Sequence, residues 1–352
     1  MVPALLLEFL NCSFAFQGAL VQPKLPAPGN WLKEHSQLIA LSKLRRFFQK
    51  ISPGSRLISA RVLEGGISAE MVLCELQLPE GTLQKLILRQ PNANMLAQRP
   101  QTARDEFLLL QHLKSLQVGA PVPVALDDSG SFFSDPVLLI EYIEGGLDFS
   151  RRNASNLAFQ MGKRLAMIHE VNPGSSDLSF LPLAPLDLEM TIGGWPPKTN
   201  QLSLDPALRQ KMKAAWPFRH SNPPVLVHGD FWPGNILWQQ NQLAGVIDWE
   251  DAMLGEPLID VAICRLDLTF IYDRETTRIF TETYLAHHPV DISDLPGWDL
   301  IAAFRLARLA GSDLTSWCAF FIPYGRGDIT PSNMKEAFKN FTAESLSQFS
   351  SG

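Results

Sequence analysis

Val225-Leu226-Val227-His228-Gly229-Asp230-Phe231-Trp232-Pro233-Gly234-Asn235-Ile236-Leu237, followed shortly by Ala244-Gly245-Val246-Ile247-Asp248-Trp249-Glu250, is the stretch on which the fold turns. The apolar runs Val225 to Val227 and Leu243 to Ile247 have the brevity and aliphatic composition of buried strands, and each leads into a histidine or a carboxylate. A lone Asp after a strand is ordinarily a turn or cap residue, and an Asn before Ile-Leu is ordinary turn chemistry. Fixed order changes that reading. Asp230, Asn235 and Asp248 stand on two loops at the ends of two apolar strands, and the conjunction predicts that they act together.

The order H-G-D-x-x-x-x-N and then I-D-W has the spacing of a phosphoryl-transfer loop. In protein kinases the corresponding H-R-D-x-x-x-x-N carries an Asp that accepts the substrate hydroxyl proton and an Asn on magnesium, and a later Asp holds the metal that bridges the nucleotide phosphates. An attacking alcohol must lose its proton as the bond to phosphorus forms, and a carboxylate within hydrogen-bond reach can take it. Asp230 fits that role. Magnesium takes hard oxygen ligands, so one carboxylate and one amide suffice when phosphates supply the rest, which suits Asp248 and Asn235. His228 reads as a residue that shapes the loop.

Outward from this stretch the chain divides in character. Leu57 to Leu63, Ala69 to Leu78 and Gln84 to Arg89 read as strands of an antiparallel meander, with turn chemistry at Gly65-Gly66 and Pro79-Glu80-Gly81. A helix is expected over Thr102 to Leu116, with Phe107, Leu110, Leu113 and Leu116 at helical spacing, and Pro121 and Pro123 separate it from a strand over Val137 to Tyr142. After Gly145-Gly146 the pattern becomes helical: Asn153 to Val171, Pro206 to Phe218, Thr277 to His287 and Trp298 to Trp317. The expected organisation is an N-terminal extension and short helix over 1–50, a small antiparallel lobe with one helix over 51–143, and a larger, mainly helical lobe over 144–352.

At these residues the chain resembles the aminoglycoside phosphotransferase and choline-kinase-like family, whose signature is H-G-D-x-x-x-x-N followed by I-D-W or I-D-F. Gly255-Glu256-Pro257-Leu258-Ile259-Asp260-Val261-Ala262 is similar to the family's G-D-P-x-x-D-L-A segment, and Arg164-Leu165-Ala166-Met167-Ile168-His169 resembles its L-A-x-L-H helix end. The resemblance runs from about Leu57 to Arg308 and implies an α+β, bilobal, protein-kinase-like fold. It implies nucleotide contacts from Gly65, Gly66 and Ser68, from Arg89 paired with Glu106, and from the backbone of Glu141 and Ile143 at the adenine edge. Arg89 stands where kinases usually carry Lys, and Lys85 on the same strand face is the fallback. Asp260 is implied to anchor the catalytic loop.

The implied reaction transfers the ATP γ-phosphoryl group to a hydroxyl of a small molecule with Mg2+. Aminoglycosides, macrolides, choline, homoserine, sugars and acyl-chain hydroxy acids are all compatible acceptors. The alternative is a nucleotide-binding pseudokinase or regulatory module. Neither D-F-G nor A-P-E follows the loop, which disfavours a protein kinase, and neither a P-loop nor a G-x-G-x-x-G fingerprint occurs.

A formal net charge of −6 gives no reason to expect a nucleic-acid partner. Cys12, Cys74, Cys264 and Cys318 form no C-x-x-C pair, which fits a reducing, cytoplasmic setting. Met1 to Leu20 is apolar but lacks an early basic residue and is interrupted by Glu8 and Asn11, so neither a signal peptide nor a membrane association is expected. His287-His288 reads as an exposed helix end. Trp195, Trp216, Trp298 and Trp317 read as packing residues, whereas Trp232 sits between the base and the metal ligand.

Overall fold

The computed structural model describes residues 41–63, 68–171, 178–196, 200–202 and 204–349, so Gly65, Gly66 and the apolar opening lie outside the described residues. Two compact units divide these residues between Glu144 and Gly145.

In the first unit, β1 (Arg56–Leu63), β2 (Ala69–Gln77), β3 (Leu83–Pro91), β4 (Pro123–Asp127) and β5 (Val137–Glu141) form one antiparallel sheet in the order β1-β2-β3-β5-β4. The β2–β3 turn closes with the Gly81 amide donating to the Leu78 carbonyl at 2.8 Å, and Gly81 adopts φ +93°, a conformation that glycine alone takes without strain. Alternation sorts the faces. Val72, Cys74 and Leu76 of β2, with Leu86 and Leu88 of β3, pack against Leu44, Phe47 and Phe48 of α1 (Leu41–Ile51), while Leu73 and Ile87 face the other way with Tyr142. Burying a Phe or Leu side chain contributes about 1.5–3 kcal/mol. α2 (Ala93–Gln98) and α3 (Thr102–Leu113) lie between β3 and β4.

The first unit departs from the sequence reading in three places. α3 ends at Leu113, because the chain turns there: the Leu116 amide donates to the Leu113 carbonyl, Gln117 takes φ +51°, and Leu116 is exposed. The Pro121–Pro123 separator leads straight into an edge strand, which Pro123 tolerates as its first residue. The one expected helix is joined by the short α2, capped by the Asn92 side chain.

The second unit contains α4 (Ala154–His169), α5 (Leu188–Ile192), α6 (Pro206–Ala215), α7 (Leu258–Ile271), α8 (Arg274–His287), α9 (Leu295–Ala310), α10 (Leu314–Ala319) and α11 (Pro331–Phe349). Two small antiparallel pairs accompany them: β6 (Val225–Val227) with β9 (Met253–Gly255), and β7 (Ile236–Gln239) with β8 (Gln242–Val246). α7 is buried along almost its whole length and so carries no amphipathic period to reveal it. The helix expected over Trp298 to Trp317 breaks after Ala310, and Asp313 caps α10 by accepting from the Ser316 amide at 3.0 Å. α4 and α8 approach closely at Gly162, where a Cβ would stand 2.7 Å from the Phe280 carbonyl oxygen. Arg265 of α7 forks onto Asp299 of α9 with two 3.0 Å hydrogen bonds, fixing these helices against each other.

Candidate active site

β6 delivers His228, Gly229 and Asp230 into a loop whose backbone is held from below. Asp260, on the first turn of α7, accepts from the His228 amide at 2.7 Å and from the Gly229 amide at 2.9 Å. The same carboxylate meets His169 Nε2 at 3.2 Å, and His169 Nδ1 meets the Tyr284 hydroxyl at 2.8 Å. The His169 ring thus bridges the Asp260 carboxylate to the Tyr284 hydroxyl. Gly229 takes φ +84°, and a Cβ there would collide with the Asp251 backbone, so glycine is required on both counts.

His228 crosses from one loop to the other. Its Nδ1 accepts from the Asp230 amide at 3.3 Å, which places the proton on Nε2, and Nε2 donates to the Ile247 carbonyl at 3.1 Å. Burial pushes its pKa down, which keeps this neutral form. The ring packs against Trp249, with centroids 4.6 Å apart. The Ile247 amide in turn donates to the Asn235 carbonyl at 2.9 Å. Asp248 therefore follows a residue tied to His228 and to Asn235, and its φ of +66° is uncommon for a residue with a Cβ.

Asn235 Nδ2 donates to the Asp230 carbonyl and to Asp230 Oδ2, both at 2.9 Å. Asn235 is buried, and its Oδ1 has no hydrogen-bond partner among the described residues. An orphaned, buried carbonyl oxygen beside a carboxylate is a suitable cation ligand, since an unmet acceptor of this kind is otherwise costly. Among the described residues no three His, Cys, Asp or Glu side chains converge as a metal cage.

Half-buried Asp230 sits in a charged neighbourhood. Burial, and then the Asp251 carboxylate, push its pKa up to about 8, against the opposing pull of Arg305 and the Asn235 hydrogen bond. Arg305 donates from Nη2 to the Gly229 carbonyl at 3.2 Å and lies in the field of Asp230, Asp251, Asp260 and Asp267. Burial, with the Asp230 charge adding to it, drives Asp267 well above the ordinary carboxylate range. Sequence reading missed Arg305, Asp267 and Asp251: Arg305 stands on α9, 75 residues after Asp230, Asp267 on the all-round buried α7, and Asp251 directly after the quoted Asp248-Trp249-Glu250 stretch with no motif role of its own. His169 carried a signal as the end of its helix motif.

In the first unit, Arg89 of β3 and Glu106 of α3 form an ion pair with both partners only 6% exposed, so this is not an ordinary surface pair. Lys85 is engaged elsewhere: it pairs with Glu144 at 2.7 Å and lies over the Tyr142 ring. Ser68 is half-buried, and its carbonyl accepts from the Asn92 amide at 2.8 Å. The Glu141 amide donates to the Val122 carbonyl at 2.8 Å, and the Tyr142 amide to the Lys85 carbonyl at 3.1 Å. Trp232 is half-buried near Phe320, with ring centroids 6.0 Å apart, and it covers Gly234 so closely that a Cβ there would strike the indole. His287 is exposed, as expected, and its Nδ1 meets the Thr283 carbonyl at 2.8 Å, whereas His288, expected to be exposed with it, is half-buried, its ring 5.9 Å from that of His169 and 5.7 Å from that of Tyr284.

The model of the phosphotransferase enzyme family (APH) matches residues 59–303. Mouse acyl-CoA dehydrogenase family member 10 is 26% identical over 258 residues, covering 64% of this chain and 24% of that protein. The homoserine kinase of Gluconobacter oxydans is 28% identical over 165 residues, covering 44% of this chain and 51% of the enzyme. The chain thus spans about a quarter of the first relative's length and about half of the second's. The streptomycin–ATP–APH(2")-IIa ternary complex superposes with a TM-score of 0.53 at 20% identity, covering 77% of this chain and 89% of that one. At that identity the match speaks for the fold, which is α+β with an antiparallel sheet of five strands followed by a helical part.

Proposed function

This chain belongs to the phosphotransferase enzyme family, and from that premise we propose that it transfers the γ-phosphoryl group of ATP to a hydroxyl of a small molecule. The observation that carries the reading is the pairing of Asn235 with Asp230: one amide group orients the carboxylate through Nδ2 and presents an unmet Oδ1 beside it.

Asp230 acts as the base. Asn235 occupies Oδ2, so the acceptor proton passes to Oδ1, the alcohol oxygen forms the bond to γ-phosphorus, and the bond to the β,γ-bridging oxygen breaks to release ADP. Asn235 and Asp248 would hold magnesium, which when bound neutralises charge on the nucleotide phosphates. His228 and Asp260 keep the loop in register through the hydrogen bonds described above.

In the first unit, Arg89, braced by Glu106, takes the place of the phosphate-pairing lysine, and Ser68 with Gly65 and Gly66 belongs to the phosphate loop. The Glu141 amide is committed to Val122, so contact with the adenine edge falls to the Glu141 carbonyl and the Ile143 amide. The ATP-bound ternary complex of a protein with the same fold supports a nucleotide co-substrate. No helix among the described residues is long and apolar enough to cross a membrane.

The test measures nucleotide binding and acceptor-stimulated ADP release side by side over a chemically broad acceptor set. Turnover that disappears in Asp230→Asn while ATP binding persists is the expected result. ATP binding with no turnover on any acceptor would replace the enzyme by a nucleotide-binding module.

A further inference from the structure

Wholly within the second unit, the hairpin of β7 and β8 joins the two proposed magnesium ligands: Asn235 directly precedes β7, and Asp248 comes shortly after β8 ends at Val246. Its base is closed by the Ile247 amide donating to the Asn235 carbonyl at 2.9 Å, next to the pair of Ile236 and Val246. Gln240 and Asn241 make the turn at its tip, with φ of +50° and +62°, the geometry that follows the twist of paired strands. Two strands alone are marginally stable in water, so tertiary anchors decide how such a hairpin is set. The two strands are anchored differently. β7 buries Ile236, Leu237 and Trp238, and Trp238 exchanges two backbone hydrogen bonds with Gly146 at 2.8 and 3.0 Å. β8, the strand that leads to Asp248, begins with exposed Gln242 and half-buried Leu243.

α4 supplies a hold on that side. Asn153, at its N-cap, Asn156 and Gln160 share one face of the helix by their spacing. Asn153 Nδ2 donates to Asn241 Oδ1 at 3.1 Å, and Asn156 Nδ2 donates to the Asn241 carbonyl at 3.2 Å. Half-buried Gln160 binds twice: its Nε2 donates to the Asn241 carbonyl at 2.9 Å, and its Oε1 accepts from the Leu243 amide at 2.8 Å. One side chain thus meets the backbone on either side of Gln242 as a neighbouring strand would. At the other end of the same helix, about 13 Å along its axis, His169 meets Asp260, the carboxylate that holds the amides of His228 and Gly229. α4 therefore touches both the support of the proposed base and the hairpin of the proposed metal ligands.

We infer that Gln160 is a positioning residue for the magnesium site: its two-point hold on Asn241 and Leu243 sets the start of β8, and with it the placement of Asp248 against Asn235 at the base of the hairpin. The inference rests on the reading of Asn235 and Asp248 as metal ligands. Gln160 acts through the backbone and touches neither ligand. Both of its contacts are neutral, and Gln160→Met removes them while keeping side-chain length, helix propensity and net charge. A change in metal affinity in that variant therefore reports geometry and not an altered field.

The experiment uses the full chain with a non-hydrolysable ATP analogue and titrates Mn2+ as a paramagnetic probe for the magnesium site, reading the free ion by electron spin resonance. Gln160→Met is expected to bind Mn2+ about threefold or more weakly than the parent, the scale of one net hydrogen bond, while nucleotide affinity in EDTA stays within about twofold. Asn241→Gly keeps the carbonyl acceptor and suits the positive φ, losing only the Asn153 contact, and should bind Mn2+ within about twofold of the parent. In turnover, Gln160→Met should need more magnesium for half-maximal ADP release yet approach the parent kcat at saturating magnesium, a split that general disruption of the fold would not give. Equal Mn2+ affinity in Gln160→Met and the parent would overturn the inference. So would equal weakening in Asn241→Gly, which would trace the effect to the turn itself. Failure of the metal reading looks different: Mn2+ binding absent from the parent, or untouched by Asn235→Leu and Asp248→Asn, would remove the two ligands and this role of Gln160 with them.

Discussion

Asn235 grips Asp230 twice with one side-chain amide, at its carbonyl and at its carboxylate, both at 2.9 Å. The grip sets both the rotamer of the proposed base and the direction of the opposite amide oxygen. Asp230→Asn should lower kcat by about a hundred- to ten-thousandfold, the usual scale for losing a general base, with ATP affinity nearly unchanged in a binding titration. Asn235→Leu removes the orienting hydrogen bond and the unmet oxygen together. It should raise the magnesium concentration needed for half-maximal ADP release as well as lower the rate; an unaltered magnesium requirement would remove Asn235 from the metal role.

Asp260 bears on stability before it bears on rate. Its two oxygens satisfy the amides of His228 and Gly229 and the imidazole of His169, all in a fully buried setting. Asp260→Ala strands those donors, and orphaned buried donors cost about 1–3 kcal/mol each. A loss of roughly 3 kcal/mol or more in urea unfolding is expected. Tyr284→Phe removes only the outer link of the same chain and should cost about 1 kcal/mol.

How much of this was legible beforehand follows from where the information lies. Asp230, Asn235 and Asp248 share a short segment, so order and spacing expose them, and β6 and β8 announce themselves as apolar runs beside them. Arg305 and Asp267 reach the same loop through tertiary packing, on helices whose spacing records only burial. α7 hid for a related reason: a helix buried all round has no polar face to give a period. The α9–α10 break was misread because apolar residues continue across Gly311 to Asp313, and only the Asp313 cap marks the new start. Arg89 in place of Lys was legible as a substitution, whereas its depth of burial was not.

That burial makes the Arg89–Glu106 pair testable in two ways. Glu106→Ala takes the Glu106 carboxylate away from a buried guanidinium and should destabilise the chain by several kcal/mol, up to about 3–5. Replacing both residues with leucine removes the two charges together and should recover much of that loss in thermal unfolding, because buried pairs often exchange for apolar residues at little cost. Nucleotide affinity should stay low in the double variant. Arg89→Lys should retain the charge but lose the forked geometry, giving weaker ATP binding than the parent. ATP affinity equal to the parent in the double variant would reduce Arg89 to a structural residue.

Asp127 gives the pH dependence a definite sign. Burial pushes its carboxyl up, but hydrogen bonds from the Ser129 hydroxyl at 2.7 Å, from the amides of Phe132 and Phe133 at 3.0 and 3.2 Å, and from the Ser129 amide at 3.3 Å together outweigh it and hold the group below its ordinary range. With the folded pKa depressed, the stabilisation is fully present above the unfolded value of about 4 and is lost as pH falls through the lower, folded value. Asp127→Asn keeps the shape and surrenders the charge-assisted acceptance, so it should be less stable than the parent by about 1 kcal/mol near neutral pH. The gap should narrow steadily below about pH 4, as the parent's own carboxylate takes up its proton. Chemical unfolding of both proteins at neutral pH and at successive steps below pH 4 measures this directly. A gap that stayed constant, or widened with acid, would mean that the loop from Asp127 to Phe133 is held by packing of Phe133 in the sheet core and not by the ionised carboxylate.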